Sequence, residues 1–107
     1  MKTSITTGEL DQILKDHQLW LGSHPDGQRA DLSHADLSWA NLRQANLAGS
    51  KLAYANLARA NLAQADLTRA DLANAYMCRA DLTGADLTGA VFTGARLTDA
   101  TFTHTIH

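Results

Sequence analysis

The residues of this chain best suited to acid–base or metal chemistry are five histidines, His17, His24, His34, His104 and His107. Only His104 and His107 lie close in sequence. Two imidazoles three positions apart, with no third ligand beside them, make a poor zinc site, so this pair is expected to be solvent-exposed tail. His17 falls on the apolar stripe of a helical segment and is expected to pack rather than to ligate. The one cysteine, Cys78, has no histidine next to it in sequence, and Arg79 alone is weak activation for a thiolate; an inert surface thiol is expected. Gly84, Gly89 and Gly94 do not form a phosphate-binding G-x-x-x-x-G-K loop; their even spacing predicts tight corners. Trp39 with Arg59 and Arg79 is the best candidate for a binding patch, because aromatic and arginine side chains are enriched where partners bind. The competing reading is a solvated face that stacks on itself. No catalytic, cofactor-binding or metal-binding residue is assigned, and no cofactor is expected.

Two kinds of element would have to position these side chains. Over residues 6–21, Leu10, Ile13, Leu14, His17, Trp20 and Leu21 follow the spacing of one helical face. Thr6 with Glu9 three residues later fits a capping box at the start. The stretch GSHPDGQ, residues 22–28, holds the only proline and two glycines and ends the helix.

From Ala30 the period becomes five. Leu32, Leu37, Leu42, Leu47, Leu52, Leu57, Leu62, Leu67, Leu72, Met77, Leu82, Leu87, Phe92, Leu97 and Phe102 follow in step, and the residue two places before each is alanine except at Ser50. A helix turns about 100° per residue, so five residues overshoot a full turn by about 140° and no apolar stripe could form. In a single long strand an odd period would send successive leucines to opposite faces. Each Ala-x-Leu, however, can point both side chains one way from a short extended piece. If the next residues bend the chain, the following pair points inward again, and repeated bending makes a coil filled with leucine and alanine. Such self-similarity at fixed period is the mark of a solenoid. Four repeats per coil would stack Asp31, Lys51, Asp71 and Val91 in one outward column, Trp39, Arg59, Arg79 and Asp99 in a second, and Asn46, Asp66 and Asp86 in a third. Three per coil would stack Asp31, Asn46, Asn61 and Tyr76, and the residues by themselves allow either.

The run ADLSH ADLSW ANLRQ ANLAG resembles the A(D/N)LXX motif of pentapeptide-repeat proteins, and the resemblance extends over Ala30–His104 in fifteen repeats. It departs at Ser50-Lys51, Tyr76-Met77 and Val91-Phe92. The resemblance implies an all-β solenoid: a right-handed quadrilateral β-helix with four repeats per coil, here just under four coils. The helix is similar to the N-terminal cap of several bacterial and cyanobacterial members. The expected organisation is a capping helix and connecting turn at 1–29, a β-helix at 30–104 and a C-terminal tail at 105–107.

With 107 residues the chain suits one small domain, and a net charge of −2 argues against a non-specific nucleic-acid binder. The single cysteine fits a reducing compartment, and the sequence shows no apolar run of the length a membrane helix needs; a cytoplasmic protein with no membrane association is expected. A filled coil offers no enzyme cleft, so a non-enzymatic scaffold or protein-interaction module of unknown partner is the leading expectation. The family resemblance supplies an alternative, a DNA mimic acting on a topoisomerase such as gyrase, as quinolone-resistance members do. Seven acids (Asp31, Asp36, Asp66, Asp71, Asp81, Asp86, Asp99) against six bases (Arg43, Lys51, Arg59, Arg69, Arg79, Arg96) in the repeats imitate a phosphate backbone poorly. The last coil, with Phe92, Phe102 and Ile106, has no lid of its own and is the expected homodimer surface, if two copies associate.

Overall fold

A computed structural model describes residues 4–106 of the chain. One helix, α1 (Thr7–Leu21), precedes the repeats. Thr6 is its N-cap: the Glu9 amide donates to Thr6 Oγ1 (3.1 Å) and the Thr6 amide to Glu9 Oε1 (3.3 Å), the reciprocal capping box expected from the sequence. The helix ends at Gly22, whose amide returns to the last carbonyls.

The repeats pair vertically at a separation of twenty residues. Parallel bridges link Asp31 to Lys51, Lys51 to Asp71 and Asp71 to Val91, and equivalent ladders run from Asp36, Asn41 and Asn46. Four repeats therefore complete one turn, and the three-repeat stacking is set aside. The ladder ends on Ile106, which bridges Asp86, while Ser4 bridges Asp36 beneath the first coil. Each bridge is a single residue rather than part of a continuous strand, because a five-residue repeat gives most of its length to the corner. At each corner an amide donates back three residues, as Ala35 does to Leu32 (3.1 Å), and the residue before it is left-handed, as His34 is with φ 64°. That position in a type II turn requires positive φ. Gly49, Gly84, Gly89 and Gly94 meet it freely, as expected of the last three; Trp39, Tyr54, Arg59 and Arg79 meet it at the cost of crowding their Cβ.

In ten of the fifteen repeats the residue before the central one is Asp or Asn, and it has a structural task. Its Oδ1 accepts the amide two residues on, as in Ser33 to Asp31 (3.1 Å), Ala63 to Asn61 (3.0 Å) and Thr83 to Asp81 (2.9 Å). This is an Asx turn, which starts the bend. Where serine or threonine follows, its hydroxyl also donates to the carboxylate, at 2.7 Å for Ser38–Asp36 and 2.6 Å for Thr83–Asp81.

The leucines fill the coil. Leu32 through Leu82, with Met77, are at most 2 % exposed, and the alanines of the middle coils are buried beside them. Of α1, Leu10 and His17 are buried, and Ile13 and Leu14 pack part-buried against the core. At the other end Phe92 and Leu97 are only partly covered, and Phe102 and Ile106 are exposed. Ser50 stands in an alanine column with its hydroxyl buried and without a hydrogen-bond partner.

Candidate interaction surface

The outward side chains fall into columns along the coil, and one face gathers most of the chemistry. It comprises the repeats centred on Leu37, Leu57, Met77 and Leu97. In its corner column the Arg59 guanidinium lies 4.9 Å from the centre of the Trp39 ring, and Trp39 is still 71 % exposed. One column away, Arg96 lies 6.0 Å from the Tyr76 ring centre. Arg79 is exposed directly above Arg59, and Cys78, a free thiol, is half-buried between the two columns. Tyr54 flanks this face from the neighbouring corner, stacked on His34 with ring centres 4.9 Å apart and planes 3° from parallel. Three of the large apolar side chains most exposed on the repeats, Trp39, Tyr54 and Tyr76, thus border one strip.

The twenty-residue register brings Trp39, Arg59 and Arg79 together as the spacing predicts. Arg79 and Asp99, neighbours in that column, do not pair: among the described residues they form no ion pair within 4 Å, and neither do Arg59 and Arg96 with any carboxylate. The acids of the face stand at its two ends. Asp36 is occupied by the Ser38 hydroxyl and amide, which hold its carboxyl below the usual range, and Asp99 lies in the last coil. The opposite face, built on Leu47, Leu67 and Leu87, carries Asp66 and Asp86 with Arg69. Their carboxylates accept the amides and hydroxyls of Thr68 and Thr88.

The histidines scatter. His17 is fully buried on the inner face of α1: the Ala30 amide donates to its Nδ1 (2.9 Å), so the proton sits on Nε2, which donates to the Ala48 carbonyl (2.8 Å). Burial, with Arg29 adding to it against the opposing Ala48 bond, holds its pKa below the ordinary imidazole value. Trp20 stacks on the ring at 5.3 Å. His24 is exposed, with its Nδ1 accepting the Asp26 amide (3.0 Å). His104 occupies an exposed corner; His107, and with it the His104–His107 pair, lies outside the described residues. Among the described residues no three histidine, cysteine or acidic side chains cluster as a metal site would need.

A groove of about 340 Å³ runs between α1 and the first coil, lined by Leu10, Leu14, Asp36, Leu37 and Trp39 among others. At the far end, Leu87, Phe92, Leu97 and Phe102 form an apolar cup of about 420 Å³. No helix among the described residues is long and apolar enough to cross a membrane.

The geometry defines a stacked five-residue-repeat coil, and comparison with known proteins agrees. The family model described as pentapeptide repeats (8 copies) matches the chain twice, over residues 30–69 and 65–104. This chain belongs to the pentapeptide-repeat family. Among solved structures it is similar to HetL, a pentapeptide repeat protein involved in heterocyst differentiation regulation in the cyanobacterium Nostoc sp. strain PCC 7120. The two are 46% identical with a TM-score of 0.67, over 70% of this chain and 35% of HetL. A pentapeptide repeat protein from the Arabidopsis thaliana thylakoid lumen is 37% identical with a TM-score of 0.69, over 70% of this chain and 52% of the other. Another from Nostoc, alr5209, is 34% identical with a TM-score of 0.50, over 95% of this chain and 79% of the other. The chain thus spans about a third of HetL and about half of the Arabidopsis protein. These relatives imply a right-handed quadrilateral β-helix. No curated protein matches the chain.

Proposed function

We propose that the chain is a non-enzymatic protein-interaction module: a rigid coil of just under four turns, capped at one end by α1, that displays side chains in fixed columns. The observation that carries this reading is the strip around Trp39, Arg59 and Tyr76. Large, exposed aromatic and arginine side chains are held there in register by a backbone ladder, while the interior is taken up by leucine and alanine. The partner is another protein, and the lone thiol fits action in the cytoplasm. Mimicry of DNA toward gyrase is the weaker reading, because the seven acids of the repeats are nearly balanced by six bases, and six of those acids are committed to the backbone amide two residues on.

Two copies would associate through the open cup of Leu87, Phe92, Leu97 and Phe102, since uncovered apolar surface and unpaired ladder edges favour pairing. Sedimentation of the chain and of Phe102→Asp tests this: a dimer lost in the variant is expected, and a monomer in both, or a dimer in both, refutes it. Affinity capture from the native host with mass spectrometry tests the module reading. A partner retained in stoichiometric amount is expected. Turnover of a small molecule by the purified chain, or inhibition of gyrase supercoiling relieved by neutralising Asp66 and Asp86, would refute it.

A further inference from the structure

Arg59 and Arg79 occupy the same corner column in adjacent coils, their backbones about 4.8 Å apart along the ladder. Two like charges in neighbouring places of one column are unfavourable to each other, and among the described residues no ion pair offsets them. Among the described residues no carboxylate lies within 4 Å of either, or of Arg96. The two middle tiers, from Tyr54 to Arg59 and from Asn74 to Arg79, contain no acid at all. Two of the three arginines are instead propped on aromatic rings. Stacking uses the flat face of a guanidinium and leaves its N–H edge free, and that edge is the fork that matches a carboxylate. The prop also removes part of the side-chain freedom that binding would otherwise have to restrict.

We propose that this face binds an acidic segment of a partner protein, with Arg59, Arg79 and Arg96 pairing its carboxylates and Trp39 and Tyr76 packing against its side chains. The proposal rests on the interaction-module reading. Charge complementarity selects the occupant: the strip is cationic and aromatic in a chain of net charge −2. The same distribution selects a protein segment over a nucleic-acid duplex. Acids bound the strip at Asp36 and Asp99, and Asp71 and Asp81 lie on the two flanking faces. A segment laid along the middle of the face meets the arginines and touches acids only at its ends, whereas a broad polyanion reaching past the corners also meets Asp71 and Asp81.

The test is titration of the full chain with a short poly-glutamate peptide, followed by tryptophan fluorescence and by amide chemical shifts. Saturable binding is expected, weakened by salt, with shifts centred on Trp39, Arg59, Tyr76 and Arg79. The Arg59→Gln/Arg79→Gln variant should bind about tenfold or more weakly, and Arg59→Lys/Arg79→Lys should fall between, since lysine keeps the charge but not the fork. Arg69→Gln, on the opposite face, should bind as the parent does. Circular dichroism and melting of each variant check that the coil is intact. No saturable binding, equal weakening by Arg69→Gln, or tighter binding of a DNA duplex than of the peptide would each overturn the proposal. Affinity capture with the parent and the glutamine variant separates the two levels. A partner held equally by both refutes the face, while no partner for either refutes the module reading and leaves the peptide titration to decide the face.

Discussion

Acidification should loosen the first coil through His17, and the size of the effect follows from its two hydrogen bonds. The buried ring joins the Ala30 amide to the Ala48 carbonyl. Nδ1 can accept from Ala30 only while it lacks a proton. The neutral form is therefore the native one, and burial lowers the folded-state pKa below the 6.5 of a free imidazole. Above about pH 6.5 both folded and unfolded forms are neutral here and the full stability is present. As pH falls below that value the unfolded chain takes up a proton that the folded chain refuses. Stability then drops by at most about 1.4 kcal/mol per pH unit, levelling only where the folded ring itself protonates. Replacing the ring by His17→Leu leaves the buried Ala30 N–H unpaired, at about 1–3 kcal/mol, and the part-buried Ala48 C=O without its partner, at less, so roughly 1–4 kcal/mol together. Urea unfolding of parent and variant, at pH 7.5 and at pH 5.5, measures both. The parent should lose midpoint on acidification, the variant should start lower, and the gap should narrow at the lower pH. A parent curve that does not move, or a variant as stable as the parent at pH 7.5, would refute the reasoning.

Leu10→Ala should cost about 2–5 kcal/mol in urea unfolding, because Leu10 is the buried leucine of α1; Trp20→Ala, at a residue 39 % exposed, should cost less. Gly27→Ala should lower the melting temperature, since a Cβ there would fall 2.3 Å from the Trp20 backbone nitrogen and the connecting turn would have to move off α1. Ser50→Ala should raise stability by about 1 kcal/mol in the same assay, as it removes a buried hydroxyl with no partner. The carboxyls of Asp31, Asp36, Asp81 and Asp86 are depressed chiefly by the hydroxyls of Ser33, Ser38, Thr83 and Thr88. Their contribution is present above about pH 4 and lost below it, so the parent should show a second drop in thermal stability in that range, reduced when Thr83 and Thr88 are replaced by alanine.

The period of five made the ladder legible residue by residue, because which side chain faces inward depends only on backbone direction. It put Lys51 over Asp31 and Arg59 over Trp39 once four repeats per coil was taken from the family. It did not disclose why an Asp or Asn precedes most of the leucines, although the Asp-Leu-Ser and Asp-Leu-Thr triplets carried the signal of an Asx turn. The clasp at His17 was out of reach, since Ala30 and Ala48 meet it only after the chain has coiled. The helical stripe gives membership of a face but not the depth of each residue. Of its six members only Leu10 and His17 are buried, and Trp20 sits at the far end of α1 and leans over the corner at Gly49, 3.5 Å from where a Cβ would stand, instead of plugging the coil. That Arg79 and Asp99 do not pair has a related reason: adjacency in a column sets the spacing of the backbones and leaves exposed side-chain ends free to point elsewhere.

The bridges twenty residues apart give the chain two separate units of change. Removing or duplicating five residues within the repeats would return every leucine and alanine to the interior, yet it would rotate everything downstream by a quarter turn and place each outward residue on a different face. Removing or duplicating twenty would keep each downstream residue on its own face and alter only the height of the coil. Length and surface pattern can therefore vary independently of the core in a lineage of such chains. A binding strip that spans several tiers survives insertions of one size and is scrambled by the other.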